Sequence, residues 1–233
     1  MWTDGMGVPP LVTTSPQGTS PEDAGVLTRP GTEILYGGEN ILRGSSDAWR
    51  LQFGFWLDRC HTWGLGADYF EIDDRNETFS ATSTGNPILA RPFFNTLTGR
   101  EDSDLVAFNN GSTIQLTGSV SVRSFSELYG GSFYVRKLQA CDEGCSQGFF
   151  CGCNEHFCSR KEFRLGYRYM QLNEAVLISE DDVVNSGTIN RGRFDIDDAF
   201  RTTNQFNGID LAWSQRVTRN FFTFETMVRL GVG

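Results

Sequence analysis

The sequence contains very little lysine and no long hydrophobic segment. Of its 20 basic residues only Lys137 and Lys161 are lysines, and the others are arginines. Water-exposed protein surfaces are usually rich in lysine, so much of this surface is not expected to face bulk water. No run of about 18 apolar residues is present, which excludes a membrane protein built of helices. Strands that cross a membrane are not excluded, because only half of each such strand is apolar.

Positive charge and histidine are also scarce. The 20 basic residues are outnumbered by 29 acidic residues, which gives a net charge of −9. Nucleic-acid binding relies on positive charge, so no nucleic-acid partner is expected. Only His61 and His156 could supply an imidazole base, and His61 follows Cys60 in a predicted turn, where adjacent side chains point to opposite faces. We therefore predict no catalytic residues and no cofactor, and we do not expect an enzyme.

Proline is nearly absent after residue 32. Five of the seven prolines lie before that point, so residues 1–32 are predicted to be an irregular lead segment and residues 33–233 one β domain. Met1 is not followed by the basic and apolar segments of a secretory signal. The last alternating segment runs directly into Gly233. We therefore expect a fragment, with a signal peptide missing upstream and a domain truncated at its C-terminus.

What the sequence does contain is alternation of apolar and polar residues. The clearest example is residues 113–123, where Ile114, Leu116, Val120 and Val122 share one face and are predicted to point outward. About 11 residues at about 3.3 Å each, tilted by about 45°, reach about 25 Å, the height of the apolar band of an outer-membrane barrel. The same pattern also fits a soluble β-sandwich with its polar face outward.

Seven segments show this alternation and are predicted to be antiparallel strands. They are residues 50–57, 63–72, 113–123, 127–138, 163–172, 206–214 and 221–231, with a turn at Ser124–Ser126 and a long loop at 73–112. Barrels made of one chain normally have an even number of strands. Because seven is odd, we expect an incomplete barrel whose sheet does not close.

The polar faces of these strands are predicted to line a lumen. The candidate lumen-lining residues are Gln52, Asp68, Gln115, Thr117, Ser119, Arg164, Arg168, Asp210, Glu225 and Arg229. Their charges are of both signs, so they predict no ion selectivity.

Cysteine is concentrated in one segment. Cys141, Cys145, Cys151, Cys153 and Cys158 lie within 18 residues, whereas Cys60 is distant. Clusters of this kind in exported proteins are usually oxidised, so we predict a disulfide cluster. A zinc site and free thiols are the alternatives. Zinc sites usually contain C-x2-4-C pairs, and Cys151 and Cys153 do not form one, so no metal site is predicted.

Acidic residues form four short clusters, at 71–74, 101–104, 180–182 and 195–198. None has the spacing of an EF-hand loop, so solvated loops are the favoured interpretation. Divalent cations are the partners that such loops would bind.

Five segments carry a resemblance to a known family. They are LVTTSP (11–16), WLDRCHTWGLGADYF (56–70), PILARPFFN (87–95), GYRYMQLNE (166–174) and FRTTNQFNGIDL (200–211). Together they resemble the planctomycete-type porin-like outer-membrane β-barrel proteins. The resemblance implies an all-β, antiparallel, up-and-down transmembrane β-barrel in contact with lipid in the outer membrane. It supplies no catalytic residues.

Three functions follow as expectations from the resemblance and the strand pattern. The first is a porin-like or structural outer-membrane protein that allows small solutes to pass. The second is a non-conducting barrel whose acidic and Cys-rich loops bind a surface partner. The third is a soluble β-sandwich or barrel that acts as a binding module.

Overall fold

The structure, a computed structural model, describes residues 2–109, 111, 115–147, 153–185, 192–219 and 221–233, without the side chains of residues 2, 3, 144–147 and 153–157. Those ranges contain strands and no helix. The strands are β1 (Trp2–Thr3), β2 (Met6–Gly7), β3 (Val12–Thr14), β4 (Glu33–Tyr36), β5 (Asn40–Ile41), β6 (Gly44–Ser45), β7 (Ala48–Trp56), β8 (Trp63–Ser83), β9 (Leu89–Asn95), β10 (Arg100–Asn109), β11 (Gln115–Gln147), β12 (Cys153–Val184), β13 (Arg193–Arg219) and β14 (Phe222–Val232). Nothing in the described ranges is a helix long and apolar enough to cross a membrane.

Ten of the strands form one sheet. Its order is β14-β13-β12-β11-β10-β9-β3-β4, and β8 pairs with both β11 and β7. The ladders β7/β8, β9/β10, β10/β11, β3/β4, β3/β9 and β13/β14 are antiparallel, which confirms the predicted all-β antiparallel fold. In the part of the chain that the structure describes, β7 pairs only with β8 and β14 only with β13, so the sheet is open, as predicted.

Four strands are longer than predicted. β8, β11, β12 and β13 contain 21, 33, 32 and 27 residues. The predicted turn at Ser124–Ser126 is wrong, because β11 passes through it and Ser124 is buried like the alternate residues around it. Two serines in three residues imitate a turn signal but can equally fill small inward positions of a strand. The predicted strands 113–123 and 127–138 are therefore parts of one strand, β11. The seven predicted strands become six, which is an even number.

The predicted loop at residues 73–112 is also wrong. β8 continues to Ser83, and β9 and β10 form an antiparallel hairpin within the same stretch. The polar residues at its start resemble a loop in sequence because few large apolar residues stand among them. In the structure they alternate along a strand, and that alternation is what a half-buried strand requires.

The chain forms two compact units. Unit 1 contains Met1–Ser46, Asp74–Glu127 and Asn173–Thr202, and unit 2 contains Asp47–Asp73, Leu128–Leu172 and Thr203–Gly233. Residue 32 lies within unit 1, and the predicted domain boundary there stays a prediction. In the segment predicted to be irregular, β3 pairs with β4 and β9, and Val12 is fully buried.

Unit 1 has an apolar core. Its buried members are Val12, Leu89, Val106, Ala107, Val120, Val122, Val176 and Ile178. Val120 and Val122, predicted to point outward, are 1% and 0% exposed, so that prediction is wrong for them. The alternation shows which residues share a face of a strand but not which face is buried. Leu116 is partly buried against a second small cluster, and Thr113 and Ile114 lie outside the described residues.

Unit 2 has the opposite arrangement. Its exposed face carries large apolar side chains: Trp49, Leu51, Phe53, Phe55, Phe133, Leu165, Tyr167, Ile209, Trp213, Phe222, Phe224, Val228 and Leu230. Many of the alternate positions carry polar or charged side chains, and five of these, Asp68, Ser132, Arg164, Asp210 and Ser214, are less than 9% exposed. Unit 2 therefore buries charge and exposes hydrocarbon.

Candidate functional site: the polar face of unit 2

The candidate site is the polar face of unit 2. We define this face by Asp68 in β8, Ser132 and Tyr134 in β11, Arg164 in β12, Asp210 in β13 and Arg229 in β14. These residues occupy every second position of strands whose other positions are apolar, so the pleat of each strand turns them to one side.

Arg229 is the centre of a buried ion network. Its Nη2 lies 2.6 Å from Asp210 Oδ2, and its Nη1 lies 3.2 Å from Asp68 Oδ2. Nη2 also donates to Ser132 Oγ at 2.7 Å, and Ser132 Oγ in turn donates to Asp68 Oδ2 at 2.8 Å. The Asp68 and Asp210 side chains are only 2% and 1% exposed. One guanidinium thus pairs with two buried carboxylates and joins β14 to β8, β11 and β13, and Arg50 Nη2 lies 3.4 Å from Asp68 Oδ2 as a second cation.

Tyr134 fills the neighbouring part of the polar face. Its hydroxyl accepts a hydrogen bond from Gln52 Nε2 at 2.9 Å, and Arg164 lies over its ring at 5.1 Å. Glycine is needed on both sides of it. A Cβ on Gly66 would lie 2.5 Å from the Tyr134 ring, and one on Gly166 would lie 2.6 Å from its Cβ. The glycines that the alternation places at 66 and 166 therefore make room for one large polar side chain.

The structure places seven of the ten predicted lumen residues in unit 2. They are Gln52, Asp68, Arg164, Arg168, Asp210, Glu225 and Arg229. All seven occupy the alternate positions that carry the polar face. Whether that face lines a path for solutes stays a prediction.

The other three predicted lumen residues are not brought together with these seven. Gln115, Thr117 and Ser119 lie in unit 1, and they alternate with the buried Val120 and Val122 along β11. In unit 1 the polar side of β11 is the more exposed one, and whether these three residues line a lumen stays a prediction. The sequence reasoning missed Ser132 and Tyr134, although both stand at alternate positions beside the exposed Phe133 and Val135, and that alternation is the signal that could have found them.

Unit 1 contains a smaller group of buried charges. Arg91 pairs with Glu180 and lies 2.7 Å from Asp198 Oδ2. Asp182 is 6% exposed, and no described group makes a hydrogen bond to its Oδ1. Burial, helped by the negative charges of Glu180 and Asp104, raises the pKa of Asp182 to about 7. Burial also raises the pKa of Glu180 in spite of its bond to Arg91.

Two of the acidic clusters that are predicted to bind divalent cations already form ion pairs with arginines of the chain. Arg91 pairs with members of both the 180–182 and the 195–198 clusters, and Arg193 lies 2.6 Å from Asp181 and 3.4 Å from Asp195. Cation binding by these clusters stays a prediction. The one group of three thiol or carboxylate ligands that converges in the described part of the chain lies elsewhere.

That group contains two of the predicted disulfide cysteines. Ligand atoms of Cys141, Glu143 and Cys158 all lie within 4.8 Å of one another, and Cys158 Sγ is 3.8 Å from Glu143 Oε1. Cys141 and Cys158 are free thiols in the structure, as is Cys60. Cys151 and the side chains of Cys145 and Cys153 lie outside the description. The predicted disulfide cluster therefore stays a prediction, and Cys141 and Cys158 are its two members that lie close together.

The reversed polarity of unit 2, on an antiparallel sheet, is what a β-barrel membrane protein requires. The sequence matches the family described as putative beta barrel porin-7 (BBP7) over residues 1–233. The chain belongs to this BBP7 family. This confirms the resemblance to porin-like β-barrel proteins. Comparison with curated proteins finds no match.

Proposed function

We propose that this BBP7 protein is an outer-membrane protein whose unit 2 lies in the lipid and allows small solutes to pass along its polar face. The observation that carries the proposal is the reversed polarity of unit 2. Phe53, Leu165 and Phe224 are 63%, 50% and 71% exposed, while Asp68 and Asp210 are 5% and 1% exposed. Lipid solvates such an exterior, whereas water penalises it.

The same observation argues against the soluble β-sandwich. A soluble sheet buries its apolar face against a second layer and leaves its polar face in water. Unit 1 has an apolar core of this kind, whereas unit 2 exposes its large apolar side chains on β7, β12, β13 and β14. Soluble monomers rarely expose apolar patches of more than a few hundred Å². We therefore propose lipid as the partner of this face, and we propose neither a nucleic-acid partner nor enzymatic activity.

A second candidate function is a non-conducting structural barrel. It is favoured by the Arg229 network, because the buried side chains of Asp68, Asp210 and Ser132 occupy space that a wide pore would leave open. Small barrels can be filled by their own side chains. The two functions differ in one measurable property, the passage of ions.

Conductance of the purified chain in planar lipid bilayers tests the proposal. Passage of solutes predicts single-channel steps, and intact insertion without any steps would favour the structural barrel. Ser132→Arg places a large side chain on the polar face and should reduce the conductance. The matched control Ser179→Arg places the same side chain at an exposed position of unit 1 and should leave the conductance unchanged. Recovery of unaggregated protein without detergent would contradict both functions.

We also propose that Cys141 and Cys158 form a disulfide in the oxidising compartment to which an outer-membrane protein is exported. The Sγ–Sγ bond forms with loss of two protons, and the two electrons pass to a disulfide-exchanging oxidant. Mass spectrometry of peptides digested without reduction should show the Cys141–Cys158 link. A link from either cysteine to Cys60, or a stoichiometric zinc ion released by a chelator, would contradict it.

A further inference from the structure

Unit 2 contains a small cavity that the Arg229 network does not occupy. Its volume is about 90 Å³, and its walls carry four arginines, Arg136, Arg160, Arg164 and Arg216, beside Trp56. Water needs about 15 Å³ of such volume, so the cavity has room for a group several times larger than one water.

The walls of the cavity carry an excess of positive charge. Only two of the lining residues are acidic, Glu162 and Glu225. Glu225 is occupied by Arg216, whose Nε and Nη2 donate to its Oε2 at 3.0 and 2.8 Å. Glu162 lies 4.0 Å from Arg160 and 3.9 Å from Arg164, which is beyond hydrogen-bond distance. Four positive and two negative groups leave two positive charges uncompensated.

Three of these arginines also have unused donors. The Nε atoms of Arg136, Arg160 and Arg164 are buried, and none has a hydrogen-bond partner among the described residues. Arg164 is only 8% exposed. Buried donors of this kind are normally satisfied, because leaving them unpaired costs free energy. An anion that enters the cavity would supply the missing acceptors.

Trp56 holds two of the guanidinium groups in place. The Arg136 guanidinium lies 3.9 Å from the centre of its ring, and that of Arg160 lies 5.3 Å away. Stacking fixes the plane of a guanidinium but leaves its edge free to donate. The arrangement is therefore preorganised to donate to an acceptor in the cavity.

We propose that this cavity binds a phosphate group through Arg136, Arg160 and Arg164. The guanidinium fork matches the tetrahedral oxyanion in geometry and in charge. The site goes beyond passage of solutes, because it requires only that unit 2 be folded.

Isothermal titration of the full chain in a zwitterionic detergent with inorganic phosphate tests the site. We expect saturable binding that Arg136→Gln and Arg164→Gln each weaken by about tenfold or more, the effect of losing one charge-assisted pair. Arg201→Gln removes the same charge from an exposed position of unit 1 and should leave binding unchanged. No binding at millimolar phosphate, or equal weakening by the control, would overturn the proposal.

One variant moves the affinity in the opposite direction. Glu162→Gln removes a negative charge from the wall and should tighten phosphate binding by severalfold, a result that loss of folding cannot imitate. Weaker or unchanged binding in this variant would overturn the site.

A parallel titration with a short-chain phosphatidic acid distinguishes the two sources of a phosphate group. Preference for inorganic phosphate assigns the site to a dissolved solute, and preference for the lipid assigns it to a headgroup. Failure of both ligands would refute the site while leaving the conductance test of the proposed function unaffected.

Discussion

Strand β12 belongs to both units, and its two halves have opposite polarity. In unit 2, Arg164 is 8% exposed and its neighbour Leu165 is 50% exposed. In unit 1, Ile178 is 2% exposed and its neighbour Ser179 faces solvent. The even-numbered side of the strand is buried in both units. In unit 1 it carries Val176 and Ile178 and then the acids Glu180 and Asp182, whereas its exposed side carries Ser179 in place of a large apolar residue such as Leu165. The same two-residue period thus exposes an apolar side in unit 2 and a polar residue in unit 1, as the proposed contact of unit 2 with lipid requires.

The two units are stabilised by different interactions. Unit 1 gains free energy by removing Val120, Val122 and Ile178 from water, at about 25 cal/mol for each Å² of apolar surface. In lipid, an apolar exterior carries no such penalty. The interior of unit 2 therefore depends on hydrogen bonds and ion pairs, of which Arg229 makes the most.

The largest effect is expected where a buried charge loses its partner. Arg229→Met leaves Asp210 buried without its guanidinium and leaves Asp68 with Arg50 alone, and it should lower the free energy of unfolding by about 3 to 5 kcal/mol. Urea titration of the protein folded in detergent measures the change, and Arg201→Met, at an exposed position, is the control. A loss below about 1 kcal/mol is what a solvent-exposed ion pair gives. It would contradict the statement that ion pairs in a buried interior stabilise unit 2.

A charge on the outward side of β12 separates the two units directly. Leu165→Arg should cost about 2 to 4 kcal/mol if its position lies at the middle of the membrane. Ser179→Arg, 14 residues further along the same side of the strand, should change stability by less than about 0.5 kcal/mol. Unfolding in lipid vesicles gives both values. Equal costs for the two substitutions would show that the outward sides face the same solvent.

The smallest effect concerns pH and belongs to unit 1. Because folding raises the pKa of Asp182 from 3.8 to about 7, the folded state binds a proton that the unfolded state has released between those values. Stability from this group is therefore complete below about pH 4 and falls by about 1 to 3 kcal/mol as the pH rises to about 7. Glu180 acts in the same direction. Asp182→Asn, measured by urea unfolding at pH 5 and pH 8, should flatten this fall, and an unaltered profile would contradict the assignment.

Much of the fold could be predicted from local pattern. Alternation identified the strands of the β7/β8 and β13/β14 hairpins, because a turn of a few residues separates two strands whose outward faces carry bulky apolar side chains. The same pattern placed Asp68, Asp210 and Arg229 on one face. The ion network that joins them could not be predicted from the sequence, because Asp68 and Arg229 are 161 residues apart and only the order of strands in the sheet brings them together.

The reversal between the units could not be predicted for a physical reason. A period of two shows that apolar residues share one side of a strand but not whether that side is buried. Residues 115–123 and 130–136 both alternate, yet the apolar side is buried in the first segment and exposed in the second. What distinguishes them is the partner of each face. β11 meets β10 in unit 1, and Val120 and Val122 pack there with Val12, Leu89 and Val106, which come from distant segments.

Labelling by a photoactivatable lipid tests most directly whether lipid contacts unit 2 and not unit 1. The full chain is reconstituted into vesicles that contain the probe, irradiated and digested, and the labelled residues are located by mass spectrometry. We expect label on Phe163–Tyr167 and Phe222–Leu230 and none on residues 117–123 or 176–182. Label spread equally over both sets, or absent from the first, would contradict it.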